Sequence, residues 1–315
     1  MGAVVFIGIV GTATNALILY AFVASKQHKK HALVFNQNAL DLFSCVFLAI
    51  TYTMKLCNVH LSGSLGHWLC LMLLNNNLLR IGLIGSIVNL AAVTVERYLR
   101  VVHGAWSKIK LRNWMIYSAV AFSWLSATVY NTAVSFTTSS VIDGVCYWSV
   151  TWESRVATLV HGIWSLTSFY LIMVLLFLFC YWRILVTIRR QASVMSGYAG
   201  PGPSNAQVQS NKMQSSVSKT MILVCAFFAI SWMPLNLYYC LVFLPTNLTF
   251  LVDIYNAFLF ISFLYFCTNP FIYAFKFDPV KEVLLRLIPR KKTTQQANEN
   301  VQDVGAQPVS KRTDK

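Results

Sequence analysis

Seven apolar stretches divide this sequence, at about 3–24, 33–56, 69–101, 113–136, 158–189, 218–243 and 250–274. Each reaches the roughly 20 residues a helix needs to cross the hydrocarbon of a bilayer. In lipid every backbone N–H and C=O must find its partner within the protein, which leaves helices or a closed barrel. The stretches are continuous and lack the period-two alternation of lipid-facing strands, so they read as helices. With 57% hydrophobic and only 11% charged residues, most of the chain has the bilayer as its solvent. The expected fold is an all-α membrane protein, a seven-transmembrane helix bundle over 1–274.

The first stretch starts almost at Met1 without a basic leader or a cleavage site, so it reads as a retained span and not a removed signal peptide. Orientation follows from the basic residues. Of 25 Lys and Arg, all but Lys55, Arg80 and Arg155 fall in the breaks and helix ends that share one side, together with the tail. The positive-inside rule makes that side cytoplasmic, the N-terminus extracellular and the C-terminus cytoplasmic. The net charge of +15 then reflects topology and attraction to membrane lipids. Nucleic acid is a poor partner for basic residues scattered over short loops.

The longest break, about 190–217, is rich in Ser, Gly, Gln and Pro and reads as a mobile loop. Residues 289–315 have the same polar character and read as a disordered cytoplasmic tail. Between the seventh span and the tail, 275–288 places Val280, Val283, Leu284 and Leu287 at helical spacing against Lys281, Glu282 and Arg286. This pattern describes a short amphipathic eighth helix on the membrane surface.

Polar groups within the spans are few, and each needs a reason. Asp41 lies midway along the second span, with Asn15, Ser86, Asn89 and Asn269 at comparable depth in others. These residues can satisfy one another by hydrogen bonds or supply oxygen ligands to a sodium ion. Glu96 and Arg97 end the third span; Arg97 can snorkel to the boundary, pair with Glu96, or turn to a tyrosine oxygen. Such a charge pair is a natural bistable element. Pro234 and Pro270 sit inside otherwise helical runs and kink them. Cys70 and Cys146 bracket the third and fourth spans on the outer side, where a disulfide is permitted, with Cys57 as a rival partner for either. Cys45, Cys180, Cys225 and Cys267 lie in apolar runs and read as packing residues. No Cys/His set has zinc-ligand spacing.

Taken in order, these residues form a pattern. The chain resembles the rhodopsin-like (class A) G-protein-coupled receptors throughout, apart from the 190–217 loop and the tail. Asn15, Asp41, "ERY" at Glu96, Arg97 and Tyr98, Trp124, "FFAISWMP" ending at Pro234, and "NPFIY" from Asn269 to Tyr273 match one motif per span. The resemblance implies that Glu96 holds Arg97 at rest. On activation Arg97 turns toward Tyr181 and Tyr273 as the sixth helix moves outward and opens a cleft for a heterotrimeric G protein. It implies a transmission switch at Phe228, Trp232 and Pro234, completed by Asn269 and Pro270, and an allosteric sodium site at Asp41, Ser86 and Asn269. Asn15 and Trp124 are implied to be structural. Arrestin and receptor kinases are implied partners, and the plasma membrane is the implied location.

The chain departs from the family pattern at several positions. Met173 stands in place of the fifth-helix proline, which puts the usual bulge there in doubt. Gln37 and Asn38 replace leucine and alanine, Tyr265 replaces an asparagine near the sodium site, and Cys70 lies two residues farther from Arg97 than usual. The absence of a cysteine after the amphipathic helix argues against palmitoylation there.

Leu79 stands where amine receptors carry an aspartate and Phe263 where opsins carry a lysine, so neither an amine nor retinal is the expected ligand. Leu79, Arg80 and Trp232 are the pocket candidates. Arg80 either meets an acidic ligand, snorkels, or pairs with Glu153 or Asp253, so the unknown extracellular ligand is a peptide, a lipid or a small acidic molecule. Asn247 in "NLT" is a glycosylation candidate, and Ser215, Ser216, Thr293 and Thr294 are phosphorylation candidates. The resulting expectation is a receptor and not an enzyme. The competing class is a secondary transporter using Asp41 for ion coupling, which the missing internal repeats disfavour.

Overall fold

The computed structural model describes residues 1–148, 155–196, 205–242, 251–276 and 278–287. In order, these form α1 (Gly2–Ala24), α2 (Ala32–Leu56), α3 (Gly63–Leu69), α4 (Asn77–Val102), α5 (Gly104–Lys110), α6 (Asn113–Thr138), β1 (Ser139–Ile142), β2 (Val145–Trp148), α7 (Arg155–Leu166), α8 (Ile172–Ser196), α9 (Asn205–Val242), α10 (Leu251–Lys276) and α11 (Asp278–Leu287). A π-helical turn, Cys70–Leu74, leads from α3 toward α4, and another, Thr167–Leu171, joins α7 to α8. Each pair makes one span, so the chain is a seven-helix membrane bundle. Six spans are plainly long and apolar enough to cross a bilayer. The other, α6, has 26 residues, but Ser123, Ser126, Thr128, Asn131, Thr132 and Ser135 dilute it.

The bundle is apolar outside and polar inside. Phe122, Leu125 and Val129 on α6 and Leu175, Leu178 and Trp182 on α8 are exposed, while Asn15, Asn36, Gln37, Asp41, Ser86, Asn89 and Asn269 are buried. Lipid accepts the first set, and the second must be satisfied within the protein. Helix α1 lies along α2, α2 on α4, α4 on α6 and α8, and α9 on α10, which closes back onto α1. Helix α1 meets the backbone of α2 at Gly8, where a Cβ would lie 2.8 Å from the backbone nitrogen of Ala49.

The departures from the family pattern have structural outcomes. The added residues between Cys70 and Arg97 are taken up by the π-helical turn and by Asn76, whose φ of 57° breaks the helix before α4 begins. The bulge doubted for lack of a proline is present: the π-helical turn ends at Leu171, just ahead of Met173. A π turn needs one extra residue and no proline.

Cys70 is bonded to Cys146, and Cys57 is free. Cys146 belongs to an antiparallel hairpin of β1 and β2 that sequence reading missed. Its signal was Asp143-Gly144, both at positive φ, the pair a two-residue hairpin turn prefers. The 190–217 stretch is helical through Ser196 and again from Asn205. Its Gln, Ala, Met and Lys are sound helix formers, and its Gly and Pro are confined to 197–204, outside the described residues. Val280, Val283 and Leu284 of α11 pack against the bundle, whereas Leu287 is exposed.

Replacing Gly8 with valine forces α1 away from α2 and destabilises the fold by about 1–3 kcal/mol. Purified Gly8→Val should show a lowered thermal midpoint, and Gly2→Val, with open space around it, should not.

Candidate functional site

A continuous chain of hydrogen bonds crosses the bundle from α10 to α6. Asn269 Nδ2 donates to Asp41 Oδ2 at 2.7 Å, and the Ser86 hydroxyl donates to Asp41 Oδ1 at 2.9 Å. The Gln37 amide donates to Ser86 Oγ and accepts from Asn89 Nδ2 at 2.8 Å. Asn36 Nδ2 donates to Asn89 Oδ1 at 2.9 Å and accepts on Oδ1 from Trp124 Nε1, also at 2.9 Å. Each member is nearly or fully buried except Trp124, which is partly buried. Gln37, noted in the sequence only as an oddity, is the link that joins Asp41 to the α6 end. Its neighbour Asn38 instead donates to Val34 O of its own helix.

Side chains bond to the backbone around both prolines, and at Pro270 one serves the freed carbonyl itself. Pro270 has no N–H for the carbonyl four residues earlier, that of Phe266. Asn15 Nδ2 of α1 donates to that oxygen at 3.1 Å. Near Pro234, Tyr170 donates to Ala229 O at 2.9 Å, Ser262 to Ser231 O at 3.2 Å and Asn236 to Trp232 O at 2.8 Å. Phe228 packs edge-on to Phe177 and Tyr265 and lies 6.5 Å, centroid to centroid, from Trp232. An aromatic core therefore lies one turn from the kinked backbone.

At the end of α4 the pair of Glu96 and Arg97 is joined by a second, closer partner. Glu96 Oε1 accepts from Arg100 Nε at 2.7 Å, while Arg97 lies 3.7 Å from Glu96 Oε2. Arg97 does not snorkel; it is 4% exposed. Its Nη2 lies 3.2 Å from Nδ1 of His31, at the start of α2. An arginine can only donate, so His31 accepts at Nδ1. Tyr181 meets Thr94 Oγ1 at 3.2 Å, and the Tyr273 hydroxyl, fully buried, has no hydrogen-bond partner among the described residues. Neither tyrosine holds Arg97. Tyr98 reaches outward to His103 Nε2 at 3.3 Å. His31 was not singled out in the sequence, where a histidine in a basic loop gives no signal.

At the hairpin end, Leu79 is buried in the core. Arg80 turns inward, donating from Nη2 to Ser135 Oγ at 3.1 Å and to Asn75 Oδ1 at 3.5 Å. Glu153, the Asp253 side chain, Asn247, the Ser215 and Ser216 side chains, Thr293 and Thr294 lie outside the described residues.

Burial, then the charges of Arg97, Lys30 and Arg100, pushes His31 down to about 3 from its ordinary 6.5. The folded protein keeps His31 neutral below pH 6.5 while the unfolded chain takes up a proton, so stability is lost as pH falls from 6.5 toward 3. At pH 5 the loss from this residue is about 2 kcal/mol. Thermal unfolding of the purified protein between pH 7.5 and 5 should show this drop, and His31→Asn should remove it.

Comparison with known proteins accords with this architecture. A search of curated proteins finds no match. A crystal structure of squid rhodopsin superposes with a TM-score of 0.73 over 98% of this chain and 90% of that one, at 15% identity, a likeness of fold. The family described as the 7 transmembrane receptor (rhodopsin family) matches residues 14–273. Its members are receptors and not enzymes. Spanning most of the chain, that match establishes that this protein belongs to the rhodopsin family of seven-transmembrane receptors.

Proposed function

We propose that this receptor sits in the plasma membrane with the hairpin end extracellular and couples ligand binding to a heterotrimeric G protein. The observation that carries the reading is Arg97. It is a buried cation at the end where nearly all the basic residues gather, bonded to a neutral histidine and 3.7 Å from a carboxylate that Arg100 engages more closely. A hydrogen bond to a neutral acceptor is readily exchanged, which suits a group that must move between two arrangements. Release of Arg97 from His31, with outward motion of α9 about Pro234, opens the cytoplasmic end. Arrestin and receptor kinases act at the same end in this reading.

The residues around Asp41 fit a sodium ion. Asp41, Ser86 and Asn269 converge, and Asn269 Oδ1 is buried with no hydrogen-bond partner among the described residues. Those three side chains would hold the ion, which would supply a charge to offset Asp41. Gln37 steadies Ser86 from the other side.

G-protein activation in cells expressing the chain, read across the main G-protein classes, tests the proposal. Arg97→Ala should abolish the signal. His31→Ala should raise the basal signal roughly fivefold or more, and Asp41→Asn should remove its dependence on sodium. A signal indifferent to Arg97→Ala at equal surface expression would overturn the reading.

A further inference from the structure

The three cations that break the positive-inside pattern include two that converge. Lys55 ends α2 and Arg80 begins α4, and both reach the same kink. Lys55 Nζ donates to Asn76 Oδ1 at 3.3 Å, and Arg80 Nη2 donates to Asn75 Oδ1 at 3.5 Å. The break between the π-helical turn and α4 thus presents two consecutive amide oxygens, one to each cation. The charges lie close enough to act on each other.

Lys55 also sits over the ring of Tyr52, 4.9 Å from its centroid. An amide dipole and a ring face ease the burial of a cation but cancel none of its charge. The ion pairs among the described residues are those of Glu96 with Arg97 and Arg100, so Lys55 has no carboxylate there. Of the acids with described side chains, Asp41 is taken by Ser86 and Asn269, Glu96 and Glu282 belong to other regions, and Asp143 is at the hairpin turn.

Aromatic rings stand beside these cations. Tyr52 packs edge-on to Phe263 at 5.9 Å, Tyr255 lies 5.1 Å from Tyr238 and 6.5 Å from Tyr239, and Tyr239 and Tyr255 act on the Arg80 charge. Phenol hydroxyls and ring faces receive a body that is largely apolar.

We propose that the ligand is an amphiphilic anion, its carboxylate or other oxyanion seated between Lys55 and Arg80 and its apolar body against Tyr52, Tyr239, Tyr255 and Phe263. This rests on the receptor reading for its signalling consequence, but not for the binding itself. The anion supplies Lys55 with the negative charge that Asn76 does not provide, and the aromatic wall excludes water, strengthening the attraction. An opposite charge at Lys55 repels the same ligand.

The test is thermal unfolding of the purified full chain in a neutral detergent at constant ionic strength. The probes are 3-phenylpropionate, dodecanoate and sulfate, with 3-phenylpropionamide as the uncharged control. Dodecanoate and 3-phenylpropionate distinguish a lipid-like from a compact aromatic ligand.

At least one of the two carboxylates should raise the midpoint by roughly 3 °C or more, and the amide should not. Lys55→Met and Lys55→Glu should lose that rise. Without any probe, Lys55→Met should melt at or above the unaltered protein, because a repulsion is relieved.

The proposal is overturned by a Lys55→Met protein that melts lower without probe, by an equal rise in the variants, by a rise with sulfate alone, or by no rise up to about 10 mM. Arg97→Ala should keep the rise, so failure of G-protein coupling and failure of anion binding are separately visible.

Discussion

A carboxyl group buried in the centre of a lipid-embedded bundle is the constraint around which the interior is arranged. Asp41 is fully buried, and its oxygens are met by donors from other helices. Ser86 and Asn269 meet them, Gln37 and Asn89 extend the bonding across α2 and α4, and Asn36 and Trp124 carry it to α6. Bonds of this kind tie helices together where the surrounding lipid provides no hydrophobic drive for their association. The same chain runs from α10 to the outer α6.

The two ends of the bundle handle positive charge differently. At the basic end, Arg97 is buried against His31, with Glu96 diverted to Arg100. At the hairpin end, Lys55 and Arg80 are gathered by adjacent amides beside aromatic rings. Each end thus places buried cations beside neutral acceptors, and at the basic end Glu96 adds a carboxylate that Arg97 and Arg100 share.

Much of the site was legible because its residue types are costly in lipid. Asn15, Asp41, Ser86 and Asn269 stand out as polar groups in apolar runs, and Pro234 and Pro270 as helix breakers in helices. What those residues touch was not legible. That Asn15 serves the carbonyl freed by Pro270, 255 positions later, depends on α1 lying against α10. The resemblance implied Glu96 on Arg97, and the two are paired at 3.7 Å, but no sequence signal showed that Arg100, one turn on, meets the same carboxylate more closely at 2.7 Å. His31 carries no marker, because a loop histidine becomes a buried acceptor only once α2 is docked on α4.

The sequence by itself determined the number of spans and the polar-inside character, since each follows from transfer of side chains and backbone into hydrocarbon. The tertiary structure alone decided the partners: which cysteine joins Cys70, how the extra residues above Arg97 are absorbed, and which oxygen receives each buried cation. Those outcomes depend on distances between residues far apart in the chain, set when the helices pack, and local composition carries no record of them.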